Sequence, residues 1–242
     1  MGIDWGSVRY ERPLVEGVLL RRFQRFLAEV SLEGRVVRVH VPNSGSMRTC
    51  SQPGSRCWVL PAAGPHRKLA WTLEQVAEGG VRVGVNTSRA NHLAAEALAG
   101  GVVQLPGLRA GWSLRREVPL GHGSRVDFLL TDRRGSFWVE VKNVTWVEGG
   151  VALFPDAVTA RGARHVEELG QRLCAGDRAA ILFVVQRGDA GEVRVAATVD
   201  PAFARAVQTA RERGLVAAAV EVAVTQEGLV PTRALPVLDA VR

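Results

Sequence analysis

Two carboxylates and one lysine lie close together in the middle of the chain. Asp127 belongs to an apolar run over residues 126–130, and Glu140 and Lys142 belong to a second run over residues 137–144. Residues two apart in a strand point to the same face, so Glu140 and Lys142 emerge together. Two acidic side chains and an amine that converge can hold a hard divalent cation and activate a water for attack on phosphorus. The alternative is a pair of strands whose charges simply face solvent.

A hairpin is the element that would bring these side chains together. Both runs alternate in the way that indicates strands, and the turn-forming residues 132–135 separate them. If the strands pair, Asp127 comes alongside Glu140 and Lys142. The pattern is therefore an Asp…Glu-X-Lys arrangement on adjacent strands.

Lysine is scarce in this chain, which makes Lys142 informative. Of 31 basic residues only Lys68 and Lys142 are lysines, and the rest are arginines. A compact amine can contact a water or a scissile phosphate and can shift its pKa, whereas a guanidinium is bulky and permanently protonated. Retention of a lysine inside the motif favours a chemical role for it.

Charge and composition indicate the class of partner. The net charge is +7 and the isoelectric point is near 10.5, which suits a polyanion. A membrane surface would suit the charge equally well, but no amphipathic basic helix stands out, so nucleic acid is the expected partner. The three cysteines show neither disulfide nor zinc spacing. Residues 1–12 lack the apolar core of a signal peptide, and no apolar run is long enough for a membrane span. We expect a cytoplasmic protein that does not bind membranes.

The first part of the chain, residues 1–85, reads as a small β-barrel. Five or six short alternating segments lie between residues 17 and 85, separated by Gly, Pro and Asn. An OB-like barrel is the commonest such module that also binds nucleic acid.

Several residues of this part are candidate nucleic-acid contacts. Arginines interleave with aromatic rings over residues 21–26, so that cations could follow phosphates while a ring stacks on a base. The alternative is that the rings are core and the arginines solvated. Two basic loops, residues 41–48 and 65–68, add further cations. The candidates are Arg21, Arg22, Phe23, Arg25, Arg48 and Lys68.

The second part, residues 86–242, reads as a mixed α/β domain. We predict a helix from about residue 88 to 99, strands near 112–118, 126–130 and 137–144, a loop over 152–156, a helix to residue 174 and a buried strand over 179–185. A strand over 193–199, a helix over 201–213 and a strand over 216–224 complete the prediction. This order is typical of a nuclease core with a central mixed sheet.

Segments spread over nearly the whole chain resemble the bacterial and archaeal sugar fermentation stimulation protein A family. The segments are residues 21–30, 42–47, 84–87, 96–98, 124–130, 139–145 and 154–159, with Arg161 and Gly162. The resemblance implies an amino-terminal OB-like domain joined to a restriction-endonuclease-like PD-(D/E)XK domain, and DNA binding. Phe23 and Val41 depart from the residues common in that family, Tyr and Cys, and neither departure touches the acidic motif.

The motif and the resemblance together give a hypothesis about roles. Asp127 and Glu140, with the backbone carbonyl of Val141, would hold Mg²⁺ or Mn²⁺, and Lys142 would position the attacking water. Glu96 is either a further carboxylate ligand or a surface or capping residue, and the pattern favours the latter.

The start of the second long helix supplies further candidates. Arg161, Arg164 and His165 could grip a phosphate there, or form a structural cluster, and Asp156 could cap the region.

The expected function is thus a metal-dependent DNA or RNA phosphodiesterase. The alternative is a DNA-binding transcriptional regulator of sugar metabolism genes that keeps the fold without turnover. RNA remains open as a substrate because an OB barrel accepts either polymer. A homodimer would suit a nuclease that cuts both strands, but no interface can be read from the sequence.

Overall fold

The computed structural model describes residues 8–62, 68–121 and 123–239. The amino-terminal residues used in the localisation argument, 1–7, and residues 65–67 of the second basic loop lie outside this range. Among the described helices, none is both long enough and apolar enough to cross a membrane.

The amino-terminal part is a six-stranded barrel, as predicted. Its strands run in the order β4-β3-β2-β5-β6-β7, and a pairing of His40 with Thr72 joins β4 to β6. Alternate residues of β3 are buried, because side chains of a strand point to opposite faces. The bounds are β2 Val15–Phe23, β3 Leu27–Leu32, β4 Arg35–His40, β5 Arg56–Pro61, β6 Trp71–Glu78 and β7 Val81–Gly84.

The second part is built on a seven-stranded mixed sheet with helices on both faces, and the edge strand β1 of this sheet comes from residues 8–9, which precede the barrel strands. The strand order is β1-β16-β15-β13-β10-β9-β8. Strands β8, β9 and β10 form an antiparallel meander, and β10, β13 and β15 are parallel. The strands are β1 Val8–Arg9, β8 Ser113–Gly121, β9 Ser124–Asp132, β10 Gly135–Val144, β13 Arg178–Val185, β15 Val216–Val224 and β16 Gly228–Leu235.

Three α-helices cover this sheet. One face packs on α1, Ala90–Ala99, and the other on α2, Ala160–Cys174, and α3, Pro201–Glu212. Strand β13 lies between β10 and β15 and is almost wholly buried, as its uninterrupted apolar sequence predicts. Asp200 begins α3 by accepting a hydrogen bond from the amide of Phe203.

Two predictions about local structure were wrong. The loop predicted over residues 152–156 contains strand β12, Val151–Phe154, which pairs with β11, Trp146–Glu148, and with β14, Glu192–Val195. Strand β14 is also shorter than the predicted segment 193–199. These strands are three or four residues long, too short for alternation to show in the sequence.

Contacts between the barrel and the mixed sheet are specific. The amide of Gly84 donates to the carbonyl of Gln186, and the side-chain amide of Gln75 donates to the carbonyl of Thr225. A Cβ on Gly84 would lie 2.5 Å from the Gln186 side chain, so only glycine permits this approach.

Candidate active site

The β9–β10 hairpin places Asp127 beside the strand that carries Glu140. Pairing of the two strands ends at Val139 and Phe128, and beyond this point they separate. The Asp127 carboxylate occupies the gap, where its Oδ2 accepts a 2.7 Å hydrogen bond from the amide of Val141. The carbonyl of Val141 faces the same side of the strand as its amide, toward Asp127, because both groups of a strand residue point the same way.

A helix supplies the second contact of Asp127. Asn91, in the first turn of α1, donates its side-chain amide to Asp127 Oδ1 at 2.7 Å. Each carboxylate oxygen therefore has one protein donor and keeps a lone pair that could reach a cation.

Glu140 is held on one oxygen only. Its Oε1 lies 2.6 Å from Lys142 Nζ and 2.7 Å from His165 Nδ1, and the residue is only 3% exposed. Its Oε2 is buried and has no hydrogen-bond partner among the described residues. A buried carboxylate oxygen without a partner costs free energy, and a bound cation would satisfy it. The donor set at this point therefore fits a hard divalent metal.

The two carboxyl groups differ in acidity. Burial, with repulsion from Glu140, raises the pKa of Asp127 to about 6. Burial also acts to raise the pKa of Glu140, but hydrogen bonds and charges from His165 and Lys142 outweigh it, so its pKa is lowered. Repulsion between the two carboxyl groups makes Asp127 the harder one to ionise. A divalent cation between them would offset this repulsion.

Lys142 opens onto a cleft between the barrel and the mixed sheet. The cleft has a volume of about 510 Å³. Its lining includes the end of β10, residues 154–161 before and at the start of α2, and part of the barrel loop, which we define as residues 43–47. Arg25, Lys142 and Arg161 are its cationic lining residues.

The barrel loop is fixed against the mixed domain by Asp156. This carboxylate accepts hydrogen bonds from Ser46 Oγ at 3.0 Å and from the amide of Met47 at 2.9 Å. A Cβ on Gly45 would lie 2.7 Å from Asp156 Oδ1. The predicted capping role of Asp156 is wrong, because the side chain of Thr159 caps α2 instead.

Arg22 has a structural task that the sequence did not reveal. Its guanidinium donates to four backbone carbonyls, which belong to Arg25, Asn43, Gly45 and Ser46. These bonds use the group that we expected to contact phosphate, so Arg22 stabilises the barrel loop from inside.

The other candidate nucleic-acid contacts of the barrel have different surroundings. Arg21 forms a bidentate ion pair with Glu29 and stacks 5.0 Å above the ring of Phe23. Arg48 lies 4.9 Å from the ring of Trp146. Lys68 is exposed on a loop that the cleft does not include.

The candidates at the start of α2 also differ in their surroundings. Arg161 lines the cleft, and its Nε lies 3.3 Å from His165 Nε2. His165 is buried against Glu140, which fits the second alternative, a structural cluster. Arg164 is exposed on α2 and is not among the lining residues.

Glu96 is not brought to the carboxylate pair. Burial raises its pKa, and its Oε2 has no partner within the part of the chain that the structure describes. Over that same part, no three His, Cys, Asp or Glu side chains form a group that could hold a metal ion. The protein ligands of a cation here would thus be two carboxylates and a backbone carbonyl, with water completing the coordination.

The sequence did not identify Asn91 as a site residue, and it did not predict the contact between His165 and Glu140. Asn91 is 36 residues from Asp127, and His165 is 25 residues from Glu140. A polar residue in the first turn of a helix that packs on a motif strand was the one signal available, and it is weak.

The fold defines a class: an amino-terminal OB barrel joined to a mixed α/β domain. Profiles of two domains match the chain, "SfsA N-terminal OB domain" over residues 20–85 and "Sugar fermentation stimulation protein RE domain" over residues 88–228. This chain belongs to the sugar fermentation stimulation protein (SfsA) family.

Relatives of similar length support the assignment. A sugar fermentation stimulation protein homolog from Geobacter sulfurreducens is 48% identical over 94% of this chain and 97% of its own length. One from Geobacter metallireducens is 46% identical over 96% of this chain and 100% of its own. The structure of Pyrococcus furiosus SfsA in complex with Ca²⁺ superposes with a TM-score of 0.86 and 26% identity, over 96% of this chain and 99% of that one.

Proposed function

We propose that this protein is a divalent-metal-dependent phosphodiesterase of the PD-(D/E)XK type that cleaves nucleic acid, with DNA as the first candidate and RNA as the second. The observation that carries the proposal is the state of Glu140. One of its oxygens is shared by Lys142 and His165, while the other is buried without a partner and lies on the strand flanked by Asp127.

Asp127, Glu140 and the carbonyl of Val141 would hold Mg²⁺ or Mn²⁺. When bound, such an ion lowers the pKa of a coordinated water and stabilises charge on the phosphoryl oxygens. The P. furiosus relative, which has the same fold, was solved in complex with Ca²⁺, and this supports a divalent-cation site in the present chain.

Lys142 would offset negative charge at phosphorus, and His165 would orient the carboxylate of Glu140. Lys142, held 2.6 Å from Glu140, places its ammonium group at the cleft, where it can hold a water and offset the charge that develops on phosphorus. His165 contacts Glu140 from the other side and fixes the orientation of that carboxylate, so that it is a positioning residue.

The surface charge supports a polyanionic substrate. The net charge is +7, and cationic side chains line the cleft beside Lys142. Phosphate contacts from such residues give binding that weakens with salt.

Cleavage of labelled DNA and RNA, single-stranded and duplex, tests the proposal in Mg²⁺, Mn²⁺ or EDTA. We expect metal-dependent cleavage that falls about 100-fold or more in Asp127→Asn and in Lys142→Ala. Asp239→Asn is the matched control, because the Asp239 side chain is fully exposed (100%) at the far end of the chain. If salt-sensitive binding persists while no substrate is cleaved with any metal, the catalytic proposal fails and a non-catalytic DNA-binding regulator takes its place.

A further inference from the structure

The cleft beside Lys142 has room for a nucleotide. Its volume is about 510 Å³. Cavities of roughly 300–1,000 Å³ hold drug-sized ligands, and a nucleotide is of that size. One base with its phosphate can therefore lie in the cleft.

The part of the cleft formed by the barrel loop does not behave as a lid. Asp156 binds both Ser46 and the amide of Met47, and Arg22 donates to three carbonyls of the loop and to one carbonyl outside it. A Cβ on Gly45 would lie 2.7 Å from Asp156 Oδ1. Widening the cleft would break these contacts together.

The lining also has the chemistry of a single-strand site. Proteins that bind single strands combine a cationic groove with aromatic side chains on which bases stack. Here Arg25, Lys142 and Arg161 share the cleft with Phe154. Phe154 packs at 5.2 Å from Phe203 and 5.8 Å from Phe183, which holds its ring in place while the residue remains partly exposed. Trp146 also lines the cleft, but it is only 5% exposed and offers little surface for stacking.

Lys142 is the proposed catalytic side chain that lines the cavity, and it is 14% exposed. Glu140 beside it is buried, and Asp127 is partly exposed but is not among the lining residues. A phosphodiester in the cleft would meet Lys142, and a base that entered with it would have to be unpaired.

From these observations we infer that the substrate is a single polynucleotide strand or an unpaired end, which lies in the cleft with its phosphates toward Arg25, Lys142 and Arg161 and a base toward Phe154. The inference rests on the proposed function for its catalytic half. Its binding half stands on the shape and lining of the cleft alone.

Fluorescence anisotropy in EDTA, where metal-dependent cleavage is blocked, tests the binding half. The probes are labelled DNA and RNA strands of about 12 nucleotides, a blunt hairpin duplex, and the same hairpin with an unpaired overhang. We expect the strand and the overhang to bind at least about 10-fold more tightly than the blunt hairpin. The DNA and RNA arms show which backbone is preferred.

Arg161→Ala should weaken strand binding and reduce the slope of log K against log salt by about 0.7, the value for one phosphate contact on a single strand. Arg133→Ala removes the same charge from the turn at the opposite end of the β9–β10 hairpin, where the side chain is exposed, and should leave both quantities unchanged. Equal affinity for the blunt hairpin, or an unchanged slope in Arg161→Ala, overturns the inference.

A parallel cleavage assay in Mn²⁺ separates the two proposals. Strand-selective binding without cleavage of any probe rejects the proposed activity and supports the single-strand site. Cleavage of the blunt hairpin at the rate of the single strand rejects the single-strand site and supports the activity.

Discussion

Asn91 is the residue on which the orientation of Asp127 depends. It donates to Asp127 Oδ1, while the amide of Val141 donates to Oδ2. We expect Asn91→Ala to weaken Mn²⁺ binding by about 10- to 100-fold, the usual effect of removing an outer partner of a metal ligand. Calorimetric titration with Mn²⁺ measures this, and a melting temperature near that of the wild type shows that the fold persists. Unchanged Mn²⁺ affinity would contradict the role assigned to Asn91.

Part of the candidate site could be predicted from the sequence. Asp127, Glu140 and Lys142 could be predicted, because one hairpin and the two-residue period of a strand bring them together. His165 and Asn91 reach the same place from two helices on opposite faces of the sheet. No local period records such contacts, so the structure was needed to find them.

Arg22 and Arg25 of the barrel are expected to have different roles, the first structural and the second in binding. Arg22 donates to four carbonyls, whereas Arg25 lines the cleft. We expect Arg22→Ala to lower the free energy of unfolding by about 1–3 kcal/mol, because carbonyls lose their donor. We expect Arg25→Ala to leave stability nearly unchanged and to reduce the salt slope of strand binding by about 0.7. Chemical denaturation and salt titrations measure the two effects. A loss of stability in Arg25→Ala together with a reduced salt slope in Arg22→Ala would contradict these roles.

Asp132 closes the β9–β10 hairpin at the end opposite the candidate active site. Its carboxylate accepts hydrogen bonds from the guanidinium of Arg178 and from the amides of Arg109 and Arg134, and these donors hold its pKa below the usual range. A carboxyl group with a lowered pKa stabilises the fold above its unfolded pKa, near ~4, and loses that contribution as the pH falls through the folded value.

We therefore expect Asp132→Asn to lower the melting temperature at about pH 7, with a difference from the wild type that narrows below about pH 4. Thermal denaturation across this range measures the difference. A gap as large at about pH 3 as at about pH 7 would show that the Asp132 charge does not stabilise the hairpin.

Strand β16 and the short strands β11 and β12 were not predicted from the sequence. Strand β16 contains Pro231, which pairs with Val222 at an irregularity in the register, and proline in a run argues against a strand. The turn of Gly149 and Gly150 between β11 and β12 has positive φ at both residues, which suits a tight hairpin. Only pairing with neighbouring strands shows that β11, β12 and β16 are part of a sheet.

The two domains share a buried ion pair. Arg187, 3% exposed at its side chain, donates to Glu78 of the barrel at 2.9 Å and to the carbonyl of Thr145 at 2.7 Å. Removing one partner of such a network costs about 3–5 kcal/mol, so Arg187→Met should lower the melting temperature by about 10 °C.

Arg194→Met is the matched control for this change. Arg194 pairs with Glu192 on the partly exposed strand β14, and such pairs contribute under about 1 kcal/mol. Scanning calorimetry of both variants measures the two shifts. Arg187 also forms a bidentate pair with Asp189 of its own domain. Equal shifts would mean that the whole Arg187 network adds no more to stability than the Arg194 pair.

The predicted boundary near residue 86 carries no information on how the barrel and the α/β part pack. The contacts of Asp156 with Ser46 join residues 110 positions apart. The cleft exists only because these distant segments meet. Its shape could therefore not be derived from motifs, whereas the residues on its β10 edge could.

The central claim is that Asp127 and Glu140 share a divalent cation. Calorimetric titration with Mn²⁺ tests it most directly, in the wild type, Asp127→Asn, Glu140→Gln and the exposed-turn control Arg133→Ala. We predict Mn²⁺ binding in the wild type and in Arg133→Ala, with affinity at least about 10-fold weaker in each carboxylate variant. Absence of Mn²⁺ binding in the wild type, or equal affinity in all four proteins, would contradict the claim.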